Sequence, residues 1–161
     1  MGKHPCIIKL EIKVIKYLYG KGKMKEIIAS QDELEIVVNY INEIVPVNAI
    51  IFLIGNLAAG KTTLTANVAK GKGTEGEVTS PTFSLQQCYD ENLYHYDLYR
   101  IENSEFMELG LFEEFEKEGW HMLEWGDDEL KNFLIEAGYN VFTVTITPFE
   151  EKRKYKIEKS S

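Results

Sequence analysis

Apolar and polar residues alternate over positions 7–17, with Ile8, Leu10, Ile12 and Val14 interleaved with Lys9, Glu11 and Lys13, the pattern of a half-buried strand. Gly20-Lys21-Gly22-Lys23 breaks it, and Lys25–Ala29 starts a second short strand directly after Met24. Ser30 and Glu33 form an S-x-x-E capping box, and Leu34, Val37, Val38 and Ile41 recur at helical spacing, which predicts a helix from Gln31 to Ile44 closed before Pro46. The apolar run Ala49–Ile54 reads as a buried strand, residues 61–70 as a helix and Gly71–Gly76 as a loop. Phe83–Tyr89 and Leu93–Leu98 flank Asp90-Glu91-Asn92 as a hairpin, followed by short helices at Ser104–Leu109 and Phe112–Lys117. His121–Trp125 is a further strand and Asp128–Ala137 a helix that Asp127 and Asp128 can cap. Val141–Thr147 alternates well, and Arg153–Glu158 can pair with it. Strands alternating with helices predict an α/β fold, a three-layer sandwich with a mostly parallel central sheet and ligands at the carboxyl ends of its strands.

The chemistry enters between the strand at 49–54 and the helix at 61–70. Gly55-Asn56-Leu57-Ala58-Ala59-Gly60-Lys61-Thr62 fits G-x-x-x-x-G-K-[ST], the P-loop pattern, in the strand–loop–helix setting it requires. Glycines allow turns that direct successive N–H groups at a phosphate, and the following helix adds the partial positive charge of its N-terminus. Lys61 is placed to reach the β- and γ-phosphates and Thr62 to ligate Mg²⁺. The chain is therefore expected to bind a nucleoside triphosphate.

Hydrolysis needs a carboxylate on the metal side and a group that orients water. Glu124 ends the strand at 121–125 and Asp97 ends the one at 93–98; either can act on Mg²⁺ directly or through water. Trp125 is placed either to stack on an adenine or to fill the core. His95 reads as a packed strand histidine, and Ser80-Pro81-Thr82 as hydroxyls on a switch-like loop.

Composition narrows the rest. The 161 residues suit one domain, and a net charge of −8 argues against autonomous binding to a nucleic-acid backbone. Residues 1–23 carry six lysines against Glu11 and are read as a basic extension before a domain at 24–161, although their alternation could add an edge strand. The N-terminus lacks the long apolar core of a secretory signal, no stretch is long enough to span a bilayer, and Cys6 and Cys88 lie far apart, so a cytoplasmic protein is expected. Arginine occurs at positions 100 and 153 alone, and Arg100 is the one the sequence sets near the P-loop. So few guanidinium groups disfavour a kinase that clamps two phosphorylated substrates.

Four motifs then resemble one family. Gly55–Thr63 is similar to G-D-L-G-A-G-K-T-T, Ser80-Pro81-Thr82-Phe83 to S-P-T-[FY], Tyr94–Arg100 to Y-H-x-D-L-Y-R, and Leu123-Glu124-Trp125 to V-E-W. In this order and spacing, over about residues 25 to 150, they resemble the bacterial TsaE (YjeE) family. The resemblance implies a P-loop ATPase that uses ATP and Mg²⁺ in making threonylcarbamoyladenosine in tRNA. It also implies partner subunits of the TsaD and TsaB type and tRNA met indirectly through that complex; with Arg100 the one arginine set near the P-loop to act as a finger, weak turnover without partners is expected. By the same resemblance Lys61, Thr62 and Thr63 lie at the phosphates and metal, Asp97 and Glu124 form the acidic pair, and Trp125 neighbours the nucleotide. Asn56 replaces the family's acid and Ala58 a P-loop glycine, so the innermost turn is expected to be less free. Rival readings are a small-molecule kinase, a GTPase, against which the lack of an N-K-x-D motif counts, and a non-catalytic nucleotide-dependent adaptor.

Overall fold

The computed structural model describes residues 24–75, 77–78 and 85–160; the strand expected at 7–17, the glycine break after it and the Ser80-Pro81-Thr82 segment lie outside them. The described strands are β1 (Met24–Ala29), β2 (Ala49–Ile54), β3 (Gln86–Tyr89), β4 (Leu93–Asp97), β5 (Trp120–Glu124), β6 (Val141–Phe149) and β7 (Lys152–Lys159). The helices are α1 (Leu34–Ile44), α2 (Lys61–Gly71), α3 (Asn103–Glu108), α4 (Leu111–Glu114) and α5 (Asp128–Glu136). No helix among the described residues is long and apolar enough to cross a membrane.

All seven strands form one sheet in the order β1-β7-β6-β2-β5-β4-β3. The four central strands β6, β2, β5 and β4 are mutually parallel, and the edges are antiparallel through β3–β4, β6–β7 and β1–β7. β2 is apolar throughout because both its faces are covered. Its Ile51 and Leu53 pack with Val37, Ile41, Leu64 and Val68 of α1 and α2. Its Ile50 and Phe52 pack on the opposite side with Phe106, Leu111, Leu130 and Leu134 of α3, α4 and α5. The period of two thus splits one strand between two cores, giving the three-layer sandwich expected from the sequence.

The helix expected from Gln31 begins with a 3₁₀ turn, Gln31–Glu33, before α1. The Glu33 carboxylate accepts the Ser30 backbone N–H at 2.9 Å and Lys152 Nζ of β7 at 2.6 Å, which ties the start of α1 to the start of β7. That lysine, followed by the Ser30 amide, holds the Glu33 carboxyl down at about 2. Burying Leu34, Val37, Val38 and Ile41 on one side of α1 contributes about 1.5–3 kcal/mol each, which outweighs any exposed ion pair. At α5, Asp127 is the N-cap, its carboxylate accepting the Leu130 N–H at 2.8 Å, while Asp128 lies one residue inside.

Candidate nucleotide-binding site

The central parallel strands end on one side of the molecule, where Asp97, Glu124 and the loop after Ile54 meet. Register accounts for this: Asp97 pairs with Glu124 across β4 and β5, and Glu124 pairs with Leu53 across β5 and β2. Leu93, His95 and Asp97 alternate onto the face covered by α1 and α2, as do Trp120, Met122 and Glu124. Both carboxylates are thereby presented to the N-terminus of α2.

The loop from Leu57 to Thr63 lines a cavity of about 590 Å³ together with Asp97, Glu124, Trp125, Arg100 and Arg153. Two residues of the loop adopt left-handed backbone, Ala58 at φ +60° and Gly60 at φ +101°. The alanine that replaces a glycine has not prevented the turn; it adopts the angle that a glycine would take without strain. Gly55 needs its missing Cβ for space, since one there would come within 2.7 Å of Ala59 Cβ and 3.0 Å of the Ile146 carbonyl oxygen.

Lys61 is 4 % exposed. Its ammonium donates to the Gly55 and Asn56 carbonyls at 2.7 and 3.1 Å, so these two residues act through their backbone and do not line the cavity. Nζ also lies 4.1 Å from the centroid of the Trp125 ring. Burial lowers the Lys61 pKa below that of a free lysine, opposed by the Glu124 and Asp97 charges. Trp125 meets Tyr99 edge-on at 5.0 Å and is half-buried at the cavity wall, neither in the core nor free.

Glu124, also 4 % exposed, is where the acids and the loop connect. Its Oε1 accepts the Thr62 hydroxyl at 2.8 Å and lies 2.8 Å from His95 Nε2. Because a carboxylate only accepts, His95 Nε2 carries the proton, and its Nδ1 faces the Tyr89 hydroxyl at 3.5 Å. His95 is fully buried, as a packed strand histidine should be, and it is also the partner of a site acid. Asp97 lies at the cavity wall, with Oδ1 accepting the Tyr99 N–H at 3.1 Å.

Arg153 corrects the expectation that Arg100 alone lies near the P-loop. The β6–β7 hairpin returns the chain at the carboxyl end of β6, and Arg153 reaches the cavity from there. The alternation of 141–147 and 153–158 carries the signal for this pairing, but which residue the hairpin brings to the loop depends on the sheet register.

Among the described residues no three His, Cys, Asp or Glu gather to hold a metal by themselves. A hydroxyl and a carboxylate 2.8 Å apart at the end of a P-loop are instead hard oxygen donors of the kind Mg²⁺ takes alongside phosphate oxygens, so the residues fit that ion.

A parallel-centred sheet with a P-loop between strand and helix, closed by an acid from the neighbouring strand, defines a P-loop-type nucleotide-binding protein. The family model described as threonylcarbamoyl adenosine biosynthesis protein TsaE matches residues 28–155. The chain belongs to the TsaE family. A TsaE from Haemophilus influenzae, named a tRNA threonylcarbamoyladenosine biosynthesis protein, is 38 % identical over 81 residues, 48 % of this chain and 51 % of that protein. The protein of that name from Bacillus subtilis is 43 % identical over 79 residues, 47 % of this chain and 49 % of that protein. The one from Treponema pallidum is 37 % identical over 99 residues, covering 58 % and 73 %. The matches thus span about half the length of the first two relatives. The crystal structure of YdiB from Bacillus subtilis superposes with a TM-score of 0.63 at 24 % identity, over 86 % of this chain and 87 % of that one, a likeness of fold.

Proposed function

We propose that this chain binds ATP with Mg²⁺ and hydrolyses it as the ATPase subunit of an assembly that makes threonylcarbamoyladenosine in tRNA, with transferase subunits of the TsaD and TsaB type. The names of the relatives support the pathway. The observation that carries the chemistry is the contact of the Thr62 hydroxyl with Glu124 beneath the P-loop, beside the buried Lys61.

In this reading the N–H groups of residues 57–63 surround the phosphates, and Lys61 leaves the Gly55 and Asn56 carbonyls to meet the β- and γ-phosphate oxygens. Thr62 and Glu124 would hold Mg²⁺, which offsets phosphate charge when bound. Asp97, next to Glu124 in register, is suited to orient the water that attacks the γ-phosphorus as the bond to the β-phosphate oxygen breaks, releasing ADP and phosphate. Trp125 is placed at the edge of the site, where a base could stack on its ring.

Titration calorimetry with Mg-ATP tests the site. A charge-assisted contact contributes about 1.5–3 kcal/mol, so Lys61→Ala should weaken ATP by about tenfold or more. Unchanged affinity would remove Lys61 from the phosphates. Co-purification with the transferase subunits, with and without ATP, tests the assembly.

A further inference from the structure

Arg153 is one of two arginines in the chain and stands on a strand that carries no part of the P-loop motif. β7 runs antiparallel to β6, so its first residues lie at the carboxyl end of the parallel strands, with Arg153 opposite Pro148 of β6 and Ala29 of β1. Alternation along β7 sends Tyr155 and Ile157 into the core beneath α1 and α2, and Arg153 begins that same row at its P-loop end. Lys152, Lys154 and Lys156, on the other face, each lie within 4.0 Å of a carboxylate, of Glu33, Glu26 and Glu158 respectively. Among the described residues no such ion pair is formed by Arg153.

The guanidinium packs on Gly60 and lies beside the Tyr155 side chain, a neutral neighbour that leaves its charge uncompensated. A Cβ on Gly60 would lie 2.7 Å from Arg153 Nη1, 3.1 Å from Cζ and 3.5 Å from Nε, so the glycine gives both the φ of +101° and the room for this group. Gly60 immediately precedes Lys61 and forms the N-cap of α2. The guanidinium also lines the same cavity as Lys61, Thr62, Asp97 and Glu124. In the strand order β7 lies on one side of β2, while β5 and β4, which carry the two acids, lie on the other. The loop is therefore flanked by a cation on one side and two carboxylates on the other. Keeping a guanidinium with no acidic partner against a helix N-terminus places like charges together, an arrangement that an anion between them would stabilise.

We infer that Arg153 is a phosphate-binding residue, a guanidinium supplied from within the chain that contacts the phosphate chain of the bound nucleotide from the β7 side. This rests on the nucleotide-site reading above. It gives the site a second fixed cation beside Lys61, and it assigns the hairpin β6–β7 a part in binding besides completing the sheet.

The test compares Mg-ATP binding by the full chain with that of Arg153→Met, which keeps an apolar stem, and Arg153→Lys, which keeps a charge, using calorimetry at two or more salt concentrations. Arg153→Met should weaken ATP by about tenfold or more and flatten the dependence of affinity on salt, because one charge contact is gone. Arg153→Lys should recover part of the affinity, since lysine supplies a point charge without the fork. Lys61→Ala, run in parallel, separates the outcomes. If Lys61→Ala weakens ATP while Arg153→Met binds within about threefold of wild type, the role of Arg153 is overturned and the nucleotide site stands. If the wild-type chain does not bind Mg-ATP, both fall. If Arg153→Met weakens ATP with an unchanged salt slope, the effect is packing on Gly60 and the inference is overturned. Melting without nucleotide identifies any loss of fold, and calorimetry is run below each variant's own midpoint, so that a destabilised variant still gives an affinity.

Discussion

Ala58 holds φ +60° at an exposed position of the P-loop, where nothing but the backbone turn demands it. An L-residue pays roughly 1–2 kcal/mol in this region, whereas replacing alanine with glycine costs about 0.4–1 kcal/mol in unfolded-chain entropy. Ala58→Gly is therefore expected to stabilise the chain by up to about 1 kcal/mol, read as a higher urea midpoint. A lower midpoint would show that the alanine side chain is in use. His95 gives a second expectation. His95→Phe keeps the ring in its buried slot but leaves the Glu124 carboxylate one donor short, a loss of about 1–3 kcal/mol of stability. ATP hydrolysis should fall about tenfold or more while ATP affinity changes less than threefold, because Glu124 is misplaced and the loop is not. Equal rates for wild type and variant would make the contact purely structural. The sequence made the P-loop legible because all its parts are contiguous, and Glu124 and Asp97 because each ends a strand. It left the partnership of His95 with Glu124 and of Arg153 with Gly60 unread, since both depend on which strands lie side by side. The left-handed backbone at Trp125, φ +62°, likewise has no signature in composition.

At the scale of elements, hydrophobic periodicity predicted the central strands and α1, α2 and α5 within a few residues, because burial on one or both faces leaves a strong pattern. The short elements were harder: α4 spans Leu111–Glu114 where a helix to Lys117 was expected, and the first turn of the helix after Ser30 is 3₁₀. Such ends are set by tertiary packing, not propensity. Among the described residues β1 is the outermost strand on its side of the sheet, held by β7 in a register running from Met24–Glu158 to Ala29–Arg153. Residues 1–23 lie outside the described residues, and the family match begins at 28. A chain starting at Met24 is expected to keep its melting midpoint and ATP affinity. A drop of several degrees, or loss of partner capture, would show that the lysine-rich segment belongs to the fold or the assembly.

At the scale of the whole molecule, the proposed assembly sets the expectations. With 26 acidic against 18 basic residues, net charge disfavours autonomous binding to a phosphate backbone, so in the proposed assembly tRNA contact is expected to come through partner subunits. The nucleotide cavity opens beside exposed side chains, Leu57 at 83 % and Tyr99 at 64 %, a rim that a partner could cover to exclude water. Partner subunits should therefore raise turnover more than they raise ATP affinity. The most direct measurement is phosphate release from Mg-ATP by the wild-type chain, Asp97→Ala and Glu124→Ala, each alone and with transferase subunits, with ATP affinity measured in parallel. The wild-type chain should turn over slowly alone and faster with partners; each substitution should lower the partnered rate by about a hundredfold and ATP affinity by less than about fivefold. Wild-type rates in both variants would contradict the assignment of the two carboxylates, and with it the reading of this chain as an ATPase built on that acidic pair.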